Sequence, residues 1–252
     1  LVDFRESGAV KDDRGDVTVE RELSPSPDKL ETLGELLKSL AGEKVIVFLN
    51  YREAAERVYK AMKDLRLPVG LYHGGLDQID RDKAIVRFNN GTTPMLIATD
   101  LGSRGLDIDN VNAVVHYHLP ATAETWVHRN GRTGRMGASG KVLVIESADE
   151  KIPEYVVTDG DFNPAASKSP EQASVPMATL FFDAGKKDKI SRGDIVGYIC
   201  QQGGIDASLI GKIDLRDRFA YVAVPRDCLK RLLKDLEGKK IKGKKVRVSE
   251  AK

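Results

Sequence analysis

The sequence predicts an α/β domain with a parallel sheet covered by helices on both faces, followed by a smaller α+β domain of split βαβ order. Three observations carry this prediction. Apolar runs of strand length alternate with amphipathic helical segments up to residue 157, which is the pattern of crossover-connected parallel strands. The stretch TDGDFNPAASKSPEQASVP (158–176) is poor in large apolar residues and rich in Pro, Ser, Ala and Asp, as a linker is. Beyond it the order becomes strand, helix, strand, strand, helix, strand.

Taken in order, VTVEREL (17–23) reads as a short strand and SPSP breaks the chain after it. Asp28 suits a helix N-cap, and Leu30, Leu33, Leu36, Leu37 and Leu40 then form one apolar helical stripe. KVIVFLN (44–50) is a continuous apolar run, expected of a strand buried on both faces. REAAERVYKAMKDL (52–65) is amphipathic at helical spacing. The alternation continues with a strand at VGLYHG (69–74), a helix at QIDRDKAIVRFNNG (78–91) closed by Gly91, and strands at PMLIATD (94–100) and AVVHYHLP (113–120). A helix at AETWVHRNGRT (123–133) and a strand at GKVLVIE (140–146) complete the first domain. In the second, ATLFFDAG (178–185), IGKIDLRDR (210–218), FAYVAV (219–224) and KKVRVSE (244–250) read as strands, with helices over 192–204 and 226–238. The expected division is a linker remnant at 1–16, a first domain at 17–157, a linker at 158–176 and a second domain at 177–252.

Bulk properties narrow the class. At 252 residues, 41% hydrophobic and 31% charged, the chain fits two globular domains. No apolar run approaches the length of a membrane span, and the opening LVDFRESGAVKDDRGD is polar, so neither a membrane partner nor a secretory signal is expected. That opening also lacks an initiator methionine, which reads as a piece of a longer protein. Cys200 and Cys228 form no framework and no metal-ligand spacing, which suits a reducing cytoplasm. His73, His116 and His118 are scattered over strands, so no metal site is expected. Charge is uneven: residues 1–175 hold 22 Lys/Arg against 28 Asp/Glu, while residues 176–252 hold 18 against 10. An acidic polymer would meet the C-terminal part first.

The chemistry concentrates in HRNGRTGR (128–135), which crowds three arginines around two glycines. Guanidinium groups held this close need acceptors, and phosphate oxygens are well matched to them. No phosphate loop accompanies the cluster: GRMGASGKV (134–142) has one residue too many, ends in Val and runs into a strand. Together with ATDLGSRGLDI (98–108), VIVFLN (45–50) and YHGGLDQIDRDKAIVRF (72–88), the cluster resembles the late motifs of the DEAD-box RNA helicases, in their order, over residues 17–153. The resemblance implies that this domain is the second of two RecA-like domains that close around ATP and RNA. The first, missing domain would supply the phosphate loop and DEAD box and bind most of the ATP and Mg²⁺. It further implies that Arg132 and Arg135 touch ATP as finger residues, and that His128 belongs to the catalytic set. His128 and Arg129 would organise the domain interface, with Gly105 and Asp107 at the nucleotide. Asn50, Gly75, Gln78, Arg81 and Thr99 would hold the RNA backbone. Phe48 is expected to be a core or interface ring. His118 and Asn130 depart from the family's usual residues at their positions.

In the second domain, MATLFFDAGKKDKISRGDIVGYI, IGKIDLRDRFAYVAV and KIKGKKVRV resemble the RNA-binding domain of DbpA-type DEAD-box proteins, an RRM-like module, over about 177–249. Strand alternation puts Phe219 and Tyr221 on one face, with Phe181 parted from Leu180 and Phe182. Such rings can stack bases, although the glycine-aromatic signature of an RRM is incomplete. A basic set surrounds them: Lys186, Lys187, Lys189, Arg218, Lys239, Lys240, Lys242, Lys244 and Lys245. The reading is therefore the C-terminal part of an ATP-dependent RNA helicase acting on structured RNA, ribosomal RNA being implied by the DbpA-type module, and without ATPase activity by itself. A non-catalytic RNA-binding chaperone or tether and a DNA helicase fragment are the alternatives.

Overall fold

A computed structural model describes residues 17–100, 108, 111–134, 139–163 and 175–251. Its described residues form two units, one of 17–81 with 94–163, the other of 82–93 with 175–251.

The first unit is built on seven strands: β1 (Val17–Ser24), β2 (Val45–Leu49), β3 (Val69–Tyr72), β4 (Met95–Thr99), β5 (Ala113–His116), β6 (Gly140–Ser147) and β7 (Gly160–Asp161). They lie in the order β3-β4-β2-β5-β6-β1-β7, and every pairing is parallel. All residues of β2, β4 and β5 are buried, as their unbroken apolar runs require. Val45, Val47 and Leu49 of β2 join a core with α1 (Leu30–Ser39) and α2 (Arg52–Asp64), including Leu33, Leu37, Val58 and Met62. Ile46 and Phe48 face the other way and are equally buried. α3 (Gln78–Asn89), whose residues from 82 onward belong to the second unit, and α4 (Ala123–Asn130) complete the alternation along the chain.

Two local expectations change. The N-cap of α1 is Lys29, which makes no side-chain cap bond, and the Asp28 carboxylate accepts from Arg57 at 3.0 and 3.2 Å and from the Tyr117 hydroxyl at 3.3 Å. Lys29 itself is buried, and its ammonium donates to the carbonyls of Tyr117 and Ile145 and to the Glu150 carboxylate. A buried cation needs that full set of acceptors. The stretch expected as a linker begins with structure: β7 pairs with β1, and Phe162 joins the first core.

The second unit contains β8 (Met177–Phe182), α5 (Arg192–Gly203), β9 (Ile213–Leu215), β10 (Ala220–Pro225), α6 (Leu229–Leu236), the hairpin β11 (Lys240–Ile241) with β12 (Lys244–Lys245), and β13 (Val248–Glu250). Its sheet runs β13-β8-β10-β9 and is antiparallel. Leu180, Phe182, Val222 and Val224 meet Ile195, Ile199, Leu232 and Leu236 in its core. A capping box between Ser191 and Asp194 starts α5. The strand expected over 244–250 is split, because the backbone N–H of Arg247 turns to the Asp183 carboxylate at 2.7 Å and Val246 drops into the core. The strand expected over 210–218 pairs only at 213–215, since Gly211 and Lys212 bond to Ala223 outside the regular ladder.

Candidate nucleotide and RNA site

The carboxyl ends of β4, β2 and β5 adjoin, and in open α/β sheets this rim is where ligands bind. Arg129, on the last turn of α4, reaches across it. Its Nε donates to Asp100 Oδ1 at 2.7 Å and its Nη1 to the His118 carbonyl at 2.7 Å. Nη2 donates to Asn50 Oδ1 at 2.8 Å and to Asp100 Oδ2 at 2.5 Å. The guanidinium also lies 5.1 Å from the centroid of the Phe48 ring. With 0% exposure, Arg129 ties three strand ends together from inside the domain. Its donors are directed inward because three separate acceptors converge on it. Asp100, which closes this network, was not singled out in the sequence. The signal was there, since a buried arginine requires a carboxylate and Asp100 follows Thr99 directly.

His116 lies beneath α4 with no exposure, its ring stacked on Trp126 at 4.4 Å and its Nε2 bonded to Asn130 Oδ1 at 2.8 Å. Burial, reinforced by the positive charge of Arg129, lowers its pKa to about 3, so the ring is neutral and Nε2 donates. Asn130 is thereby explained: it is the polar partner of a buried imidazole. His118 accepts the Asn50 backbone N–H at 3.4 Å, and burial lowers its pKa as well. The departure at His118 thus supports the rim rather than disturbing it.

Past α4 the chain turns so that Thr133 bridges to Val111 and its hydroxyl reaches the Val111 carbonyl at 2.7 Å. A Cβ on Gly140 would stand 2.3 Å from Thr133 Oγ1 and 2.7 Å from the Gly134 nitrogen, so only glycine lets β6 pass this turn. The turn carries Arg132, which is 8% exposed and whose Nη2 lies 3.0 Å from His128 Nε2. His128 is exposed. Arg135, Gly105 and Asp107 lie outside the described residues. Of the expected catalytic set, Arg132 and His128 are therefore the pair brought together here. Guanidinium and imidazole side by side form a donor set suited to phosphate oxygens.

The residues expected at RNA are distributed unequally. Asn50 is exposed, and its amide donates to the Leu119 carbonyl at 2.9 Å while accepting from Arg129. Gly75 is exposed in the turn after β3, where its N–H donates to His73 Nδ1 at 3.1 Å. Gln78 is exposed and accepts from Arg81 Nη2 at 2.9 Å. Thr99 is buried at the end of β4, so its side chain is not displayed on the surface.

In the second unit, Phe181, Phe219 and Tyr221 do share one sheet face, with ring centroids 5.5 to 5.9 Å apart. Tyr221, however, is 4% exposed and packs with Val86 and Ala251, with Phe181 and Phe219 at the margin of that cluster. Stacking of a base on Tyr221 would require the cluster to open. The basic set is better displayed: Lys186, Lys187, Arg218, Lys239, Lys240, Lys244 and Lys245 are all exposed. Lys187 sits 3.5 Å from Asp217, Lys244 bonds Asp188, and Lys242 bonds Asp194 at 2.8 Å. These contacts hold Asp188 below the usual carboxylate range and Asp194 at about 2. Lys186, Lys239, Lys240 and Lys245 make no ion pair among the described residues. Lys240 and Lys245 face each other across the hairpin, a like-charge pairing that favours an anion between them. A Cβ on Gly185 would lie 2.3 Å from the Arg216 carbonyl, so glycine there lets the loop bearing Lys186 and Lys187 close on the one bearing Arg218. Among the described residues no cluster of His, Cys, Asp and Glu could hold a metal ion, and no helix is long and apolar enough to cross a membrane.

A parallel sheet tied at its rim by Arg129 and carrying Arg132 on the turn after α4, followed by a four-stranded antiparallel sheet with basic loops and a separate basic hairpin, is in the class of a helicase C-terminal RecA-like domain joined to an RNA-binding module. Residues 28–137 match the helicase conserved C-terminal domain, and residues 179–250 match the DbpA RNA binding domain. The chain belongs to the DEAD-box RNA helicases that carry a DbpA-type RNA-binding domain. It is 36% identical over 229 residues to the ATP-dependent RNA helicase DbpA of Escherichia coli K12, covering 88% of this chain and 50% of that protein. It is 30% identical over 252 residues to DbpA of Bacillus subtilis 168, covering 89% of this chain and 53% of that one. The chain thus spans about half the length of the curated relatives it matches. Among solved structures it is similar to the E. coli DEAD-box protein SrmB bound to regulator of ribonuclease activity A, with a TM-score of 0.52 and 25% identity over 62% of this chain and 95% of that one. It is also similar to S. cerevisiae Dbp5 bound to RNA and ADP BeF3, with a TM-score of 0.50 and 30% identity over 54% of this chain and 36% of that one.

Proposed function

We propose that this chain works as the C-terminal part of an ATP-dependent helicase that remodels structured RNA, with ribosomal RNA as the substrate class. The observation that carries the reading is the Arg132–His128 pair, held on the last turn of α4 and the turn that follows it to Val111. Bound ATP with Mg²⁺ supplies the phosphoryl group to be transferred and the metal charge on it. Arg132 would neutralise charge developing on the phosphate oxygens, as arginine fingers do, and Arg135 would act with it. Gly105 and Asp107 would hold the nucleoside, and His128 would orient Arg132. The neighbouring first RecA-like domain would hold the phosphates and metal, so this chain by itself is expected to lack ATPase activity. Asn50, Gly75, Gln78 and Arg81 would track the RNA backbone without reading sequence. The basic loops and hairpin of the second unit would anchor a structured RNA nearby, raising its local concentration at the rim. The likeness to a structure described as bound to RNA and ADP BeF3 supports this assignment. Two cysteines without a disulfide partner suit a cytoplasmic protein.

RNA-stimulated ATP turnover by the protein of which this chain is the C-terminal part is the test. Arg132→Ala should cut turnover by about 10³-fold while leaving RNA affinity intact. Near-normal turnover would remove Arg132 from the finger role. For the substrate, titration with a ribosomal RNA hairpin, an unrelated hairpin and duplex DNA should show preference for the first, and equal affinity for all three would refute it.

A further inference from the structure

The start of α2 is chemically unusual. Its N-cap is Tyr51, with extended backbone at φ −124° and ψ 142° and no side-chain cap bond. Ser, Thr, Asp or Asn would stabilise this helix end by accepting an orphan N–H, and tyrosine cannot do so. Tyr51 is nonetheless 67% exposed, a large ring left in water on the carboxyl-end rim of the sheet. Single exposed apolar residues are ordinary on protein surfaces, so exposure alone says nothing. The surroundings of this ring do. On one side it meets His118 at 6.3 Å between centroids and an interplanar angle of 65°, an edge-to-face contact. His118 is in turn braced by the Asn50 N–H at 3.4 Å and by the Tyr117 ring at 5.1 Å. On the other side along the chain, Arg52 runs past the turn at Gly75, its Cδ 3.5 Å from where a Gly75 Cβ would stand. Arg52 is held by Glu53 at 2.7 Å. Asn50, Tyr51, Arg52 and Gly75 therefore form one continuous strip of surface, and Tyr51 is its aromatic member.

We propose that Tyr51, braced by His118, is a stacking shelf for one base of a single RNA strand crossing the rim at Asn50 and Gly75. The proposal rests on the RNA reading above and adds a base contact to a surface otherwise expected to hold only backbone. Stacking of this kind tolerates any base, because every base has a π-face, so the shelf adds affinity for unpaired RNA rather than sequence preference. It would also favour a strand whose bases are already splayed over a duplex.

The test uses the whole chain and an unstructured RNA oligonucleotide, alongside the same oligonucleotide carrying abasic sites. Tyr51→Ala should weaken binding of the intact oligonucleotide by about 5-fold or more, with no change in salt dependence, since no charge is lost. The abasic oligonucleotide should bind the original chain more weakly and be indifferent to Tyr51→Ala. Tyr51→Phe should retain affinity. Tyr51→Thr should raise the thermal midpoint through a restored cap while losing RNA affinity as Tyr51→Ala does, a divergence that a purely structural role cannot produce. If Tyr51→Ala binds intact RNA as the original chain does, or if both oligonucleotides lose equally, the shelf is refuted. Absence of binding by the original chain would instead overturn the RNA reading itself.

Discussion

Replacing Arg129 with alanine is the sharpest test of how the rim is held. The side chain makes four hydrogen bonds to Asp100, Asn50 and the His118 carbonyl, from a position with 0% exposure. Its removal takes the Arg129 guanidinium away from the Asp100 carboxylate, whose side chain is 28% exposed. It also leaves a cavity against Phe48. Breaking a buried pair in this way costs about 3–5 kcal/mol, which for a domain of this size corresponds to a fall in Tm of about 6–20 °C. Differential scanning calorimetry should resolve the loss in the transition of the first unit. Arg129→Lys should fall between, because one ammonium cannot serve three acceptors at the angles a planar guanidinium reaches. Asp100→Asn should be milder than Arg129→Ala, since the amide oxygen still accepts one bond. A Tm within 2 °C of the original for Arg129→Ala would refute the keystone role, and the rim would then owe its shape to backbone pairing alone.

Other consequences are equally measurable. His116 has a folded pKa of about 3 against 6.5 ordinarily, so the unfolded chain takes up a proton that the folded chain refuses between those values. Stability should be full above pH 6.5 and fall by about 1.4 kcal/mol per pH unit below it, as read from urea midpoints at pH 7.5 and 5, and His116→Gln should flatten that dependence. Replacing Lys240 and Lys245 with glutamine should lower the slope of log K against log salt for RNA by about 1.4–1.8 and slightly raise Tm by removing a like-charge pair. An unchanged slope would place the phosphates elsewhere. Gly185→Ala should force apart the loops carrying Lys186 and Arg218, visible as amide exchange at Lys186 and Lys187, whose N–H groups now bond Arg216 and Asp217 carbonyls.

What could be read from residues alone divides along physical lines. The central strands were readable because a parallel strand buried on both faces must be a continuous apolar run, and β2, β4 and β5 are. The helices of both units were readable from their apolar spacing, with the capping box at Ser191 as an added signal. What escaped depends on partners distant in sequence. Arg129 reads as an organiser of the domain interface, and its tie to three strand ends shows only when Asp100 and Asn50 arrive from other strands. Lys187, Lys242 and Lys244 read as uncommitted positive charge until Asp217, Asp194 and Asp188 meet them. Tyr221 reads as a displayed ring until Val86 covers it. β7 has two residues, Gly160 and Asp161, with no apolar pattern at all, and exists through the Asp159 and Phe162 bonds to β1 backbone on either side of it.

The position of β1 carries a consequence for how such a chain is made. Residues 17–24 lie between β6 and β7, and their main ladder runs to residues 140–147. A ribosome emits the first of these stretches long before the second, with a delay on the order of 6–25 s at ordinary rates of synthesis. Throughout that interval β1 has both of its edges open and no neighbour in its own sheet yet translated. The central strands can meet earlier, since β2 pairs with β4 and β5, so nucleation belongs in the middle of the sheet and closure at its outer edge. During synthesis the segment at greatest risk of unwanted pairing is therefore the first strand, and slowing elongation ahead of residue 140 should lengthen its exposure to chaperones and proteases.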